Sequence, residues 1–408
     1  MPPSPSTIPA DVVRCVVQFL LCRKDLYSCT LVNHIFCDVS IPVLYRTLDI
    51  RIPIVKRSES RIQVLHPFDT ILQKPSYGKY VRKILQCARH FSTERLEALR
   101  LCHNLRSFSW TDNCSLGDTD TVFCVYLDIL QDIGINELHV KVSSGISSCM
   151  WTRLMRFHGI SSLGVTSSQL PASDLDAWSA RVGSALTMLD FSISSEAARY
   201  PQCKSSTSLF LRHMIHLRSL RLDAPTSSIP DILCYLPHLT TLDVRYRTLG
   251  QTTMPLTQPL ARLQHLTIHV IQDGGVGLGD WILALAPHHN SLHSLTIHNR
   301  APQGNATVPP NFMQRLAQLH GHSLRQLFLY NLALGSDGVR VLFTAFGRLD
   351  ALSFIPLVPN LVRRPESCSS RPQADHRTPF IASHIGRRAF RMQPEDAHDP
   401  IFPRHPVK

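Results

Sequence analysis

One hydrophobic pattern, which recurs ten times, constrains this chain more than any other feature of its sequence. Each copy has an apolar residue, two variable residues, a second apolar residue, one variable residue and a third apolar residue. A spacing of 22 to 32 residues between copies is typical of repeats that each contribute one strand and one connecting segment. We expect the ten strands to line the inside of a curved solenoid. The copies are Leu105/Phe108/Trp110, Ile135/Leu138/Val140, Ile160/Leu163/Val165, Leu186/Leu189/Phe191, Leu217/Leu220/Leu222, Leu239/Leu242/Val244, Leu263/Leu266/Ile268, Leu292/Leu295/Ile297, Leu324/Leu327/Leu329 and Leu349/Leu352/Phe354.

Between the later copies the apolar spacing changes from two to about 3.6 residues, which predicts helices on the convex side at 281–286, 312–319 and 341–346. Over about 250 residues the pattern resembles the leucine-rich-repeat family. The Asn or Cys that this family carries three places after the third apolar residue is present only as Asn113. We therefore expect an irregular horseshoe. The alternative is a generic α/β domain whose strands share the same pattern.

A compact helical segment precedes the repeats. Pro9 suits the first helical position and Asp11 suits the first turn, so a helix is expected to start there. Asp25 is a candidate N-cap for a second helix, and Pro42 is expected to reset the chain. The first helix has one apolar face, formed by Val12, Val13, Val16, Val17 and Leu20, and the second carries Leu26, Cys29, Val32 and Phe36.

Some 40 residues are too few to bury these apolar groups against one another, so a partner is expected to cover part of them. The segment resembles the F-box, a helical motif that docks onto the Skp-type adaptor of a cullin–RING ubiquitin ligase. The resemblance rests on Ile8-Pro9-x-Asp11-Val12-Val13, Leu20, Lys24-Asp25-Leu26, Leu31-Val32-Asn33 and Leu44-Tyr45. It implies that the adaptor is anchored by Ile8, Pro9, Val12, Val13, Leu31 and Val32. An ordinary helical hairpin that only caps the following domain is the alternative.

These features predict an α/β fold with four regions. They are a small N-terminal helical F-box at 7–48, a linker and solenoid cap at 49–104, an irregular leucine-rich-repeat solenoid or horseshoe at 105–360, and a basic, Pro-rich tail at 361–408. The tail has no sustained apolar period and is expected to be disordered. The net charge of +12 is spread over pairs of basic residues such as Lys56-Arg57, so a nucleic-acid partner is not expected.

The sequence offers little that points to catalysis. The glycine-rich stretch 273–280 follows a predicted strand, but Asp280 occupies the place of the last glycine in a dinucleotide fingerprint. The paired histidines at 213/216, 265/269, 288/289 and 320/322 have no third ligand in a recognisable pattern. The 12 cysteines include no C-x-x-C pair. We expect no enzymatic activity, no metal and no cofactor.

Target recognition is expected on the concave face, because side chains alternate along a strand and the variable positions point away from the core. The later strands carry Arg, His and aromatic residues, which are enriched at binding hot spots. The predicted target-binding residues are Arg221, Asp223, Asp243, Arg245, His265, His269, His298, Phe328 and Tyr330. Arg221 and Arg245 could hold a phosphate, or they could be neutralised by Asp223 and Asp243.

The two resemblances together indicate an F-box/leucine-rich-repeat protein, the substrate-recognition subunit of a ubiquitin ligase. Its expected partners are a Skp-type adaptor and a target protein. No apolar run of about 18 residues and no signal peptide is visible, so no membrane association is expected and the predicted location is the cytoplasm or the nucleus. A leucine-rich-repeat scaffold that joins no ligase is the alternative.

Overall fold

The structure, a computed structural model, describes residues 8–50, 66–87, 95–112, 119–143, 145–168, 175–193, 210–223, 233–246, 260–270, 277–287, 291–300 and 306–356. Five features of the sequence lie outside these ranges: the Lys56-Arg57 pair, Asn113, the glycine stretch up to residue 276, the His288-His289 pair and the tail at 361–408.

The N-terminal segment forms three helices, where the sequence predicted two. They are α1 (Ala10–Gln18), α2 (Arg23–Thr30) and α3 (His34–Arg46). Cys22 is the N-cap of α2, so Asp25 lies in the first turn of that helix and does not cap it as predicted. The chain turns at 31–33, and the Asn33 side chain caps α3 by accepting a hydrogen bond from the Phe36 N–H at 3.0 Å. The single second helix predicted through Phe36 is therefore wrong.

Pro42 was predicted to reset the chain. It lies instead within α3, which continues past it. Pro9 occupies the N-cap of α1, one place before the first helical position. Both differences show that a proline in the sequence does not fix where a helix begins or ends. Its ring removes one backbone donor, and a helix that is packed on one side can tolerate that loss.

The sheet starts earlier in the chain than predicted, because α3 runs directly into β1 (Thr47–Asp49). β1 pairs in parallel with β2 (Lys83–Cys87), and β2 pairs with β3 (Ser107–Asp112). α4 (Pro67–Gln73), a 3₁₀ helix (Pro75–Tyr80) and α5 (Leu96–Arg100) lie between these strands in the chain. The predicted boundary at residue 105 therefore falls inside one continuous sheet.

All pairings in this 13-stranded sheet are parallel. β1 to β10 follow one another in chain order, β12 follows β10, and both β11 and β13 pair with β12. The α/β fold class is confirmed, and the arrangement is consistent with a repeat solenoid of the leucine-rich type. The remaining strands are β4 (Glu137–Val142), β5 (Ser162–Ser167), β6 (Met188–Ile193), β7 (Ser219–Asp223), β8 (Thr241–Tyr246), β9 (His265–Val270), β10 (Ser294–Asn299), β11 (Ala306–Thr307), β12 (Gln326–Leu334) and β13 (Ala351–Pro356).

Helices cover one face of this sheet. In the described ranges, the helices that follow β3 are α6 (Thr119–Ile133), α7 (Ser148–Leu154), α8 (Leu175–Val182), α9 (Leu278–Leu285), α10 (Pro310–His320) and α11 (Ser336–Ala345). The predicted segments at 281–286, 312–319 and 341–346 correspond to α9, α10 and α11. None of the helices in the described ranges is long and apolar enough to cross a membrane.

The apolar residues of the repeats form one continuous core with the helices. The register aligns equivalent residues of neighbouring strands, as in Leu220, Leu242 and Leu266, and all three are buried. The second and third apolar residues of all ten copies lie in strands. This repeated burial on one side of the sheet leaves the alternate residues on the opposite side, which we call the open face.

Polar side chains tie some turns together in the absence of a regular Asn ladder. The Ser167 hydroxyl accepts a hydrogen bond from the Ile146 N–H at 3.0 Å. The side-chain amides of Asn299 and Asn331 each donate to the other residue's backbone carbonyl at 3.1 Å. Asn331 has a φ of 56°, a left-handed conformation that Asn adopts more readily than most residues. This pair therefore joins β10 to β12 where β12 changes register against β13.

Candidate functional site: the open face and the N-terminal helices

Strand register brings the predicted target-binding residues together on the open face. In successive parallel strands, the residue between the second and third apolar positions pairs with its equivalent, so Asp190, Arg221 and Asp243 lie side by side. The residue after the third apolar position forms a second row, in which Arg245, His269 and His298 are neighbours. Each step across such a row is about 4.8 Å. Ionic and ring contacts between strands follow from this spacing.

Five ionisable residues form a cluster in the middle of the open face, which we call the charged cluster (Asp190, Arg221, Asp223, Asp243 and Arg245). The Arg221 guanidinium lies 3.4 Å from Asp243 and 3.8 Å from Asp190. Arg245 pairs with Asp223 at 2.7 Å, and the Ser192 hydroxyl donates to the same carboxylate at 3.0 Å. Both arginines thus have acidic partners. Their charge is largely neutralised within the protein, which favours the second of the two interpretations of these residues.

Burial opposes ionisation within this cluster. It raises the pKa of Asp190 above its usual range, and the nearby Arg221 acts in the opposite direction. On the adjoining strands, burial lowers the pKa of His139, whose imidazole lies over Gly164. A Cβ at position 164 would lie 2.2 Å from the His139 Nδ1. Glycine has no Cβ, so it leaves room for the imidazole.

Three stacked rings continue the second row beyond the charged cluster, and we call them the aromatic stack (His269, His298 and Tyr330). The His269 and His298 rings are 4.7 Å apart with planes 8° from parallel. The His298 and Tyr330 rings are 4.6 Å apart with planes 10° from parallel. His269 Nε2 also lies 3.1 Å from Asp243, which connects the stack to the charged cluster. Tyr330 is 40% exposed, so its ring is accessible at the end of the stack.

The structure brings eight of the nine predicted target-binding residues to this part of the open face. Phe328 lies beside Tyr330 at a ring distance of 6.0 Å. His265 is the exception: it is the first residue of β9 and pairs with Thr241 and Ser294, away from the stack. Burial lowers its pKa, as does His293. The sequence analysis missed Asp190 and Ser192, although they occupy the same repeat positions as Arg221 and Asp223.

The N-terminal helices have a small core and a broad exposed apolar surface. Val13, Val17 and Leu26 are buried, with Leu20, Ile35, Phe36, Val39, Val43 and Leu44 packed around them. Val13 therefore stabilises the helices from inside and is not accessible on their surface. The apolar face, as we call it, consists of six exposed apolar residues: Ile8 (54%), Val12 (50%), Val16 (53%), Phe19 (83%), Leu31 (70%) and Val32 (61%). Four of them, Ile8, Val12, Leu31 and Val32, are predicted adaptor-binding residues.

Pro9, the remaining predicted adaptor-binding residue, is also exposed. Consecutive residues on a helix are about 100° apart, so the wide apolar stripe of α1 lies partly in the core and partly on the surface.

The described residues contain no group of three or more His, Cys, Asp or Glu side chains that could hold a metal ion. Two of the paired histidines have other contacts: His213 lies 3.2 Å from Asp176, and the His320 ring lies 2.9 Å from the Ala286 carbonyl. Asp280, in the first turn of α9, pairs with Arg315 of α10. Its carboxylate thus joins two helices.

Fold and surface together define the class of protein as a parallel α/β repeat protein that carries an exposed helical module at its N-terminal side. No family model and no curated protein matches the chain.

Proposed function

We propose that this chain is the substrate-recognition subunit of an SCF-type ubiquitin ligase, which binds a Skp-type adaptor through α1–α3 and a target protein through the open face. The observation that carries the proposal is the apolar face, on residues that resemble the F-box motif. Exposed apolar side chains occur singly on most proteins, but several of them on one short helical module indicate an interaction surface. Full burial of one Val or Leu side chain contributes about 1.5–3 kcal/mol.

The connection between the helical module and the sheet supports a role in holding two partners. α3 continues into β1 without a linker, and Arg23 donates to the Thr47 carbonyl at 2.8 Å. The rings of Tyr45 and Tyr77 are 4.9 Å apart across the same junction. A stiff junction would hold a bound target at a set distance from the ligase, and it would raise the effective concentration of the target near the charged conjugating enzyme.

The open face supplies a surface of the kind that proteins use for recognition. The aromatic stack is flat and partly exposed, and the charged cluster beside it is held by ionic contacts between strands. Aromatic and Arg side chains are enriched at binding hot spots, and Tyr buries a large area with little loss of conformational entropy. The target would be held by contacts across β7–β12, and the chain itself would carry out no bond chemistry.

Capture of the adaptor tests the proposal. The full chain, co-expressed with a Skp-type adaptor, is expected to purify with it as a stoichiometric complex. Val12→Asp and Leu31→Asp each place a charge in the apolar face and are expected to abolish capture. Phe343→Asp is the matched control, because Phe343 is 75% exposed on α11, outside the apolar face. Its capture should equal that of the unmodified chain.

Two outcomes would contradict the proposal. One is the absence of capture by a folded, unmodified chain, which would favour the leucine-rich-repeat scaffold that joins no ligase. The other is an equal loss of capture in all three variants, which would assign binding to a surface other than α1–α3.

A further inference from the structure

A cavity of about 840 Å³ opens where strands β6 to β10 begin. Its lining comes from the residues on either side of the first apolar position in five consecutive repeats. The first apolar residues themselves, such as Leu217 and Leu263, are buried, so their neighbours in sequence reach the surface. The lining residues are Ser184, Thr187, His216, Arg218, His238, Thr240, Ala261, Arg262, Gln264, Ser291 and His293.

All the ionisable groups in this lining are Arg or His. We call Arg218, Arg262, His216, His238 and His293 the basic rim; no Asp or Glu lines the cavity with them. Within the described ranges, neither Arg218 nor Arg262 forms an ion pair with an acidic side chain. Arg221 and Arg245, on the open face, both have Asp partners. Unlike those two arginines, Arg218 and Arg262 therefore remain available to an anion.

Backbone hydrogen bonds hold the basic rim in a regular array. The N–H of Thr240 donates to the Arg218 carbonyl at 2.8 Å, and the N–H of Gln264 donates to the Thr240 carbonyl at 2.8 Å. Neighbouring repeats thus place equivalent residues about 4.8 Å apart. The Thr240 hydroxyl already donates to the Arg218 carbonyl at 3.0 Å. The donors left for a ligand include the guanidinium groups, the imidazoles and the Gln264 amide.

Two imidazoles extend the site. The His216 and His238 rings lie 6.5 Å apart with planes 4° from parallel. The His238 Nδ1 is buried and has no hydrogen-bond partner among the described residues. A polar atom in this state is expected to gain a partner when a ligand that can share a proton with it enters the cavity.

We propose that the basic rim binds a phosphate-bearing ligand. A guanidinium group presents paired N–H donors that match two phosphate oxygens, and imidazole can donate to a third. The cavity volume lies in the range of small-molecule sites, about 300–1,000 Å³, and exceeds the need of a single phosphate ion. The phosphate belongs either to a phosphorylated side chain of another protein or to a free polyphosphate compound. This site is distinct from the apolar face and does not depend on ligase membership.

Calorimetric titration of the full chain at low salt separates these sources. The probes are inorganic tripolyphosphate, a degenerate pool of phosphoserine peptides and the same pool without phosphate. Binding of tripolyphosphate but neither peptide pool would assign the site to a free polyphosphate compound. Preference for the phosphoserine pool over its unphosphorylated counterpart would assign it to a phosphorylated side chain. Failure of both phosphate-bearing probes to bind would overturn the proposal.

Matched variants locate the binding. Arg218→Gln and Arg262→Gln are each expected to weaken binding about tenfold or more, because each removes charge-assisted hydrogen bonds. Arg106→Gln is the control: Arg106 follows the first apolar residue of its own repeat, as Arg218 does, but lies outside the cavity. Its binding should stay within about twofold of the unmodified chain. An equal loss of affinity in Arg106→Gln would mean that binding depends only on net charge, and it would overturn the proposal.

Circular dichroism is recorded on each variant to confirm folding, and Arg218→Lys provides a second variant. This substitution keeps the charge but removes the paired donors, so it should bind more weakly than the unmodified chain and more tightly than Arg218→Gln. Adaptor capture by Arg218→Gln should be unchanged. The phosphate site and the proposed ligase function can therefore fail separately.

Discussion

The His298 ring lies between those of His269 and Tyr330 and has charged neighbours on two sides. Burial, His269 and Arg300 lower its pKa from the usual 6.5, and Asp243 acts in the opposite direction. The imidazole therefore favours the neutral form in the folded protein more strongly than in the unfolded chain. A neutral His298 ring stacks without placing a positive charge beside Arg300.

This environment predicts that His298 makes the folded protein less stable in mild acid. Because its folded pKa is below its unfolded value, the unfolded chain binds the proton first as the pH falls below about 6.5. The stability that the neutral ring contributes is lost as the pH falls from about 6.5 to the lower pKa of the folded protein. His298→Phe keeps a ring in the stack but binds no proton, so its free energy of unfolding should fall less between pH 7.5 and 5.5. Urea titrations at both pH values measure this, and an equal fall in both proteins would contradict the account.

Sequence alternation was enough to predict which residues reach the open face, but not how they pair. Asp243 meets both Arg221 and His269 because it lies on the strand between them. The order of strands and their register decide such contacts, and the loops between copies vary too much in length to give either directly. His265 shares the open face with His269, but it lies at the start of β9, so its neighbours in register are Thr241 and Ser294.

Helix α1 has a buried and an exposed valine at adjacent positions of one short element. Val17 is fully buried, whereas Val16 is 53% exposed. The core beneath α1 contains few residues, so each buried side chain matters for the stability of the three helices. The exposed half of the same apolar stripe has no comparable role in folding.

Valine-to-alanine substitutions at these two positions should separate stability from binding. Val17→Ala removes two buried methyl groups and leaves a cavity, so it should destabilise the helices by about 2 kcal/mol. Val16→Ala should change stability by less than about 0.5 kcal/mol but should weaken adaptor capture. Thermal unfolding and capture are measured on both variants. Equal destabilisation by both would mean that Val16 is buried in solution.

At the scale of elements, apolar spacing predicted helices well and their ends poorly. The helices near 281–286, 312–319 and 341–346 were predicted because their buried faces repeat every three or four residues. The break at 31–33 was missed because Leu26, Cys29, Val32 and Phe36 keep helical spacing across it. Asn33 caps the next helix. One capping residue is a weaker sign of a helix end than four apolar residues at helical spacing are of a continuing helix.

Across the whole molecule, stability is expected to depend on position in the sheet. Each inner strand packs between two neighbours, whereas β13 pairs only with β12 among the described strands. The equivalent repeat residues Leu266 and Leu352 differ accordingly, at 0% and 36% exposed. In a stacked-repeat protein, interactions between neighbouring repeats supply much of the free energy of folding.

Leu266→Ala and Leu352→Ala test this dependence with the same chemical change. The first should lower the free energy of unfolding by about 2–5 kcal/mol and the second by about 1 kcal/mol. Denaturant titration of both variants checks the difference. Comparable losses would mean that β13 is covered in solution as fully as the inner strands.

The repeat predicted most of the sheet but not its first two strands. In β2 the third apolar position is occupied by Gln86, which is 1% exposed and donates from its side chain to the Cys87 carbonyl at 3.0 Å. Because this position is polar in β2, the strand does not show the apolar spacing by which the other repeats were recognised. β1 has only three residues, too few to show the pattern. The proposed ligase function depends on the F-box resemblance and the exposure of α1, since the sheet alone fits many binding partners.

Hydrogen–deuterium exchange of the full chain, with and without a Skp-type adaptor, tests the central claim most directly. The account predicts slower amide exchange in α1 and in the turn at 31–33 when the adaptor is present, with exchange in β7–β12 unchanged. Protection confined to the sheet, or no protection at an adaptor concentration that saturates known F-box proteins, would contradict it.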